Sequence, residues 1–156
     1  MLKIGDKVPD FTSPDQNNNN YCLRNDREKW IVLYFANKVK KYVEHLKYSN
    51  FKENLPFFKE NKITIVAVIP NSVQSISYFV EKNDLDIDII SDVDYVVARK
   101  YNVDYESKIP DYHKGRTIFI IDPDGIIRYI YKDEKVTGNL SDYINKVVKK
   151  LKQLIK

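Results

Sequence analysis

Hydrophobic and polar positions fall into blocks along this chain, and the blocks differ in period. Ile31-Val32-Leu33-Tyr34-Phe35-Ala36 is a continuous run of apolar, β-branched and aromatic residues. Such a run predicts a strand buried on both faces. Ile63-Thr64-Ile65-Val66-Ala67-Val68-Ile69 predicts a second, stopped by Pro70, and Thr117-Ile118-Phe119-Ile120-Ile121 a third. After the first strand, Val43, Leu46, Phe51, Leu55 and Phe58 recur at helical but uneven steps. They predict a helix over 40–59, kinked or broken at Pro56. Val73, Ile76, Phe79 and Val80 predict another, starting near Asn71 or Ser72. Leu85, Ile87 and Ile89 alternate with Asp84, Asp86 and Asp88, the period of a half-exposed extended segment. Ser91-Asp92-Val93-Asp94 resembles a capping box opening a helix through Val96, Val97 and Lys100. Ile144, Val147, Val148, Leu151 and Ile155 make one stripe of a last helix.

Turn chemistry supplies the connections. The run Asn17 to Asn20 predicts a hairpin turn between short strands around Asp10–Ser13 and Tyr21–Leu23. Val103 to Gly115 lacks a period and is expected to be a surface loop. Asp122-Pro123-Asp124-Gly125 is a turn that returns Ile126–Tyr131 as an antiparallel partner of the third buried strand. Gly138-Asn139 breaks the chain again, with Asn139 as the expected cap of the last helix. Buried strands joined through helices imply parallel pairing by right-handed crossovers. The expectation is an α/β chain of one domain, residues 1–156. It has the layout of the thioredoxin fold: a mixed central sheet with helices on both faces and an N-terminal β-hairpin.

Composition narrows the function. The 26 Lys and Arg are interleaved with 22 Asp and Glu, for a net charge of +4. No basic block or nucleic-acid motif stands out, so no nucleic-acid partner is expected. No run approaches the roughly 18 apolar residues of a membrane span, and the N-terminus carries no apolar stretch of signal length. No membrane partner is expected, and the expected location is the cytoplasm. The last helix is lysine-rich on one face, but its apolar stripe suits packing on a sheet, and lysines near a helix C-terminus complement its dipole. One cysteine, Cys22, rules out an internal disulfide and a Cys-x-x-Cys pair. His45 and His113 lack ligand spacing, so no metal and no cofactor is expected.

Several segments resemble one family. Gly5-Asp6-Lys7-Val8-Pro9-Asp10-Phe11 matches an entry motif G-D-x-x-P-D-F, and Val32-Leu33-Tyr34-Phe35 a strand leading into an active site. Ser91-Asp92 with Ala98-Arg99-Lys100-Tyr101-Asn102-Val103, and Arg116 through Gly125, resemble two later motifs, the second shorter by one residue between Arg116 and Thr117. In order and spacing these are similar to the peroxiredoxins, the alkyl hydroperoxide reductase and thiol-specific antioxidant family. The bacterioferritin-comigratory or Q-type branch is the nearest. The resemblance runs from about Leu2 to Leu151.

That resemblance implies a thiol peroxidase with a Pro-x-x-x-Thr/Ser-x-x-Cys motif after the first buried strand and an arginine from a distant strand. Carried over without gaps, the proline position holds Asn37, the hydroxyl position Lys41 and the nucleophile position Glu44. A resolving position five residues on holds Ser49, while the family's aromatic is kept as Phe51 and its arginine as Arg116. A carboxylate has no sulfenic state and is a poor nucleophile toward peroxide oxygen, so the usual reaction is expected to be absent. Glu44 either occupies a helix N-terminus facing Arg116 or points to solvent among Lys40, Lys41 and Lys47. Acid–base chemistry by Glu44, Lys41, His45 and Arg116 is a further option. The expected function is a binding or interaction module, with a second copy, a related peroxiredoxin or a small molecule at the former pocket as partner. Tyr42, Tyr48 and Tyr112 are expected around it. The alternative is a thiol-dependent peroxidase that uses Cys22.

Overall fold

The computed structural model describes residues 1–48, 50–85, 87–106, 108–114, 116–133 and 141–156. The chain opens with an antiparallel pair, β1 (Thr12–Pro14) and β2 (Asn20–Cys22), joined through the asparagine run. Asp15 accepts from the backbone N–H of Asn17 and Asn19, which shapes that turn. After a short 3-10 turn come β3 (Trp30–Phe35), α1 (Val39–Tyr48), α2 (Leu55–Glu60) and β4 (Ile63–Ile69). Then follow α3 (Val73–Lys82), β5 (Asp88–Ser91), α4 (Val96–Lys100) and a two-residue ladder of β6 (Val103–Asp104) with β7 (His113–Lys114). The strands β8 (Arg116–Ile121) and β9 (Ile127–Asp133) and the helix α5 (Ser141–Leu154) complete it.

The central sheet runs β5-β4-β3-β8-β9. The crossover rule holds for β3, β4 and β5, which pair in parallel. The third buried run does not follow it: β8 lies antiparallel to β3 and to β9. Alternate residues feed two cores. Val32, Tyr34, Ala67, Ile118 and Ile120 face α1, α2, α3 and α5. Ile31, Leu33, Phe35, Val68, Phe119 and Ile121 face Phe11, Leu23, α4 and Tyr101. The helix stripes fit this division: Val39, Tyr42, Val43 and Leu46 of α1 and Ile144, Val147, Val148 and Leu151 of α5 are buried in the first core.

Four expectations need correction. The helix over 40–59 is two helices, and its uneven stripe is the sum of two faces. Pro56 does not break it; the proline occupies the first turn of α2, where its missing N–H would be unbonded anyway. The extended segment after α3 sits later than the alternation suggests. Its strand is Asp88–Ser91, with Ile89 and Ile90 both fully buried, because one packs into each of the two cores that cover the sheet's faces. Ser91 is no capping residue: it ends β5, and α4 starts only at Val96. The stretch from Val103 is more than a surface loop, since Val103, Tyr105 and His113 are buried anchors for it. Asn139 as a helix cap and Ser49 lie outside the described residues.

Candidate functional site

The place where the sequence puts the reaction is the C-terminal end of β3. Phe35 pairs with Val68 of β4 on one side and Thr117 of β8 on the other. The ladder continues one residue further, with Ala36 N–H donating to Val68 O at 3.1 Å. Asn37 then leads into α1. Arg116 precedes Thr117, so it stands beside Ala36, and it shares the parity of Ile118 and Ile120. Strand alternation therefore puts Arg116 on the α1 side of the sheet. It is half-buried there, while Asn37, Lys41 and Glu44 are exposed.

Glu44 is not at a helix N-terminus. Helix α1 begins at Val39, and Tyr42 N–H already donates to Lys38 O at 3.1 Å. Glu44 is thus in the second turn, past the amides left free by helix geometry. One of those amides is capped from another element: Val39 N–H donates to Asn71 Oδ1 at 3.1 Å. Asn71 is itself held, because Ser91 Oγ donates to its carbonyl at 2.6 Å and Ser13 Oγ donates to the Ser91 carbonyl at 2.6 Å. Hairpin, β5, the end of β4 and the start of α1 are joined by this chain. Sequence reasoning placed Asn71 only as a helix start. Its signal was the strand-ending Pro70-Asn71 pair, whose side chain is free to turn back.

A second network reaches the same strand ends. Asp92 is 3% exposed and accepts from Val97 N–H at 2.9 Å through Oδ1 and from Ala98 N–H at 3.0 Å through Oδ2. Tyr105 OH lies 3.4 Å from Asp92 Oδ2 and 3.3 Å from Val68 O, the carbonyl that also receives Ala36 N–H. Burial pushes the Asp92 carboxyl above its usual range, and the donated bonds pull it back part of the way. Of the tyrosines expected here, Tyr42 is buried, its ring 5.0 Å from that of Tyr34, and burial pushes its phenol far up. Tyr112 is half-buried in the loop before β7. The side chains of Tyr48 and His45 lie outside the described ones.

Cys22 is elsewhere. It ends β2 and is 9% exposed, with Sγ 3.8 and 3.7 Å from the two carboxylate oxygens of Asp10. This is the geometry of a weak S–H donor on an acceptor. Its neighbours Phe11 and Leu23 pack on the sheet face opposite α1. Asp10, Leu23 and Arg24 line a cleft of about 260 Å³ with Ile31 and Ile121, at the end of β3 away from Phe35. Among the described cavities, none is lined by Asn37, Lys41, Glu44 or Arg116. No cluster of metal-ligating side chains occurs among the described residues, and no described helix is long and apolar enough to cross a membrane.

Comparison with known proteins adds a frame to this geometry. The profile of the AhpC/TSA family matches residues 4–130. Peroxiredoxin Bcp of Escherichia coli strain K12 is 27% identical over 146 residues, covering 92% of this chain and 93% of its own. The crystal structure of peroxidoxin BcpB from Mycobacterium tuberculosis superposes with a TM-score of 0.81 at 22% identity, over 98% of both chains. The bacterioferritin comigratory protein of Xanthomonas campestris gives 0.76 at 23% identity, over 94% of this chain and 92% of its own.

Proposed function

This chain belongs to the AhpC/TSA family, among peroxiredoxins of the Q or bacterioferritin-comigratory type, and from that premise we propose that it keeps the frame without the cysteine-dependent peroxidase reaction. The observation that carries this reading is the location of its one thiol. Peroxide reduction requires a thiolate to attack one oxygen and become a sulfenic acid as the O–O bond breaks. By the ungapped register from β3 the position for that sulfur falls on α1 and holds Glu44, and the one cysteine is buried, with Sγ against Asp10. The start of α1 is also closed by protein groups. Asn71 caps an amide there, which removes part of the pull on an anionic ligand.

In this reading the protein acts as a binding or interaction module, through a second copy of itself, a related peroxiredoxin or a small molecule at the former pocket. The testing experiment is peroxide consumption with a thiol reductant in excess, on the wild type and on Cys22→Ser. Consumption at the protein-free rate in both is the expected result. Steady turnover that Cys22→Ser abolishes would overturn the proposal and make this a one-cysteine peroxidase.

A further inference from the structure

His113 is a buried titratable group with no part in the site above. It lies on β7, 3% exposed, its ring edge-on to Phe119 at 5.5 Å. Nε2 is 3.0 Å from the carbonyl oxygen of Leu2. A carbonyl only accepts, so Nε2 carries the hydrogen and Nδ1 is left with a bare lone pair. Nδ1 is buried and has no hydrogen-bond partner among the described residues. Asn102 completes the arrangement. Its carbonyl receives His113 N–H at 2.7 Å, and its Oδ1 receives Leu2 N–H at 2.8 Å. Both backbone groups of Leu2 are therefore held by residues 102 and 113.

From Leu2 the segment continues as a strap over the turn between β8 and β9. Gly5 N–H donates to Ile127 O at 2.8 Å, Ile127 N–H to Asp6 O at 2.9 Å, and Val8 N–H to Gly125 O at 2.9 Å. We infer that His113 is a proton-operated clasp for residues 1–8: the neutral imidazole holds Leu2 in place, and uptake of one proton from solvent releases the strap.

The reason lies in what surrounds the ring. Protonation adds an N–H at Nδ1, where no described acceptor waits, and a charge in a pocket closed by Phe119. Release lets water reach both. The charges facing the ring do not favour the cation. Lys132 on β9 and the ammonium at Met1 are both positive. Asp104 on β6 commits its carboxylate to the N–H groups of Glu106, Lys108 and Ile109. Asp6 accepts from Lys3 N–H. Arg116, the first residue of β8, is a further cation on the same stretch of chain. Burial holds the imidazole below its usual range and the two cations act the same way, against the Leu2 carbonyl. His113 stands three residues before Arg116, so the clasp and the former site share one segment.

Amide hydrogen exchange on the full chain tests this, corrected for the intrinsic pH dependence of exchange. Protection at Leu2, Gly5 and Val8 is expected to fall as the pH drops below about 6.5, by up to about tenfold per pH unit, and to level off at the His113 midpoint of the folded chain. Protection in β3 stays constant over the same range. His113→Gln keeps an N–H donor but does not titrate, so its strap is expected to stay protected at both ends of the range. Should that variant fail to fold, the wild type still decides. The NMR titration midpoint of His113 must lie below about 6.5 and coincide with the pH at which the loss of protection levels off. A strap equally protected throughout, or a midpoint that does not match, overturns the clasp.

Discussion

Asp92 is a carboxylate almost without water that nonetheless meets three donors: the N–H groups of Val97 and Ala98 and the hydroxyl of Tyr105. The sequence shows Ser91-Asp92-Val93-Asp94 and suggests a cap from the first of these. The cap comes from the second, because Ser91 is bound into the end of β5 and points its hydroxyl at Asn71. Tyr95 takes the left-handed backbone conformation just before α4, at φ 61, and lets the chain turn so that Asp92 reaches over it. Substitution by asparagine keeps the shape but offers one acceptor oxygen for two backbone amides, and turns an N–H donor toward one of them. Asp92→Asn is expected to lose about 1–3 kcal/mol of stability, read as a lower urea midpoint with an unchanged slope.

Helix α1 is positioned from outside itself. Its apolar stripe seats it on the sheet, but its start is fixed by Asn71, in the connection between β4 and α3. Asn71→Ala is expected to cost about 1 kcal/mol, within the range for lost helix caps. The same variant should raise hydrogen exchange at Val39 and leave α5 unchanged. This cap shows what the sequence could and could not disclose. Strands β3 and β4 were legible because both faces are buried and an apolar run has no other use. The helices α3 and α5 were legible because one stripe faces one core. The place of the break between α1 and α2, ahead of Pro56 rather than at it, was not, since Phe51 and Phe58 continue an apolar pattern although they reach the core from separate segments; their rings lie 6.1 Å apart. For the same reason the positions Asn37, Lys41, Glu44 and Arg116 could be read by register, whereas Asn71, Ser13 and Tyr105, which join the site from elsewhere, could not. Only the folded chain brings residues so far apart in sequence together.

Across the whole molecule, two buried titratable groups pull its stability in opposite directions as pH changes. His113 sits in the fold with its imidazole below the usual range, through burial first and then Lys132 and the Met1 ammonium. The unfolded chain therefore takes up a proton near pH 6.5 before the folded one does. The stability linked to neutral His113 is complete above that value. It is lost progressively as pH falls from there to the lower folded midpoint. Asp92 behaves inversely. Its carboxyl is raised by burial, so the folded state binds the proton first, and stability is gained as pH falls from the raised midpoint toward the ordinary aspartate value of 3.8. Urea midpoints measured from about pH 7.5 down to about pH 5 are expected to decline for the wild type and to decline less for His113→Gln. Continued toward the ordinary aspartate value of 3.8, the Asp92→Asn profile is expected to fall more steeply than the wild type's, because the opposing gain is gone. A wild-type profile unchanged by His113→Gln would mean that the buried imidazole does not couple protonation to folding.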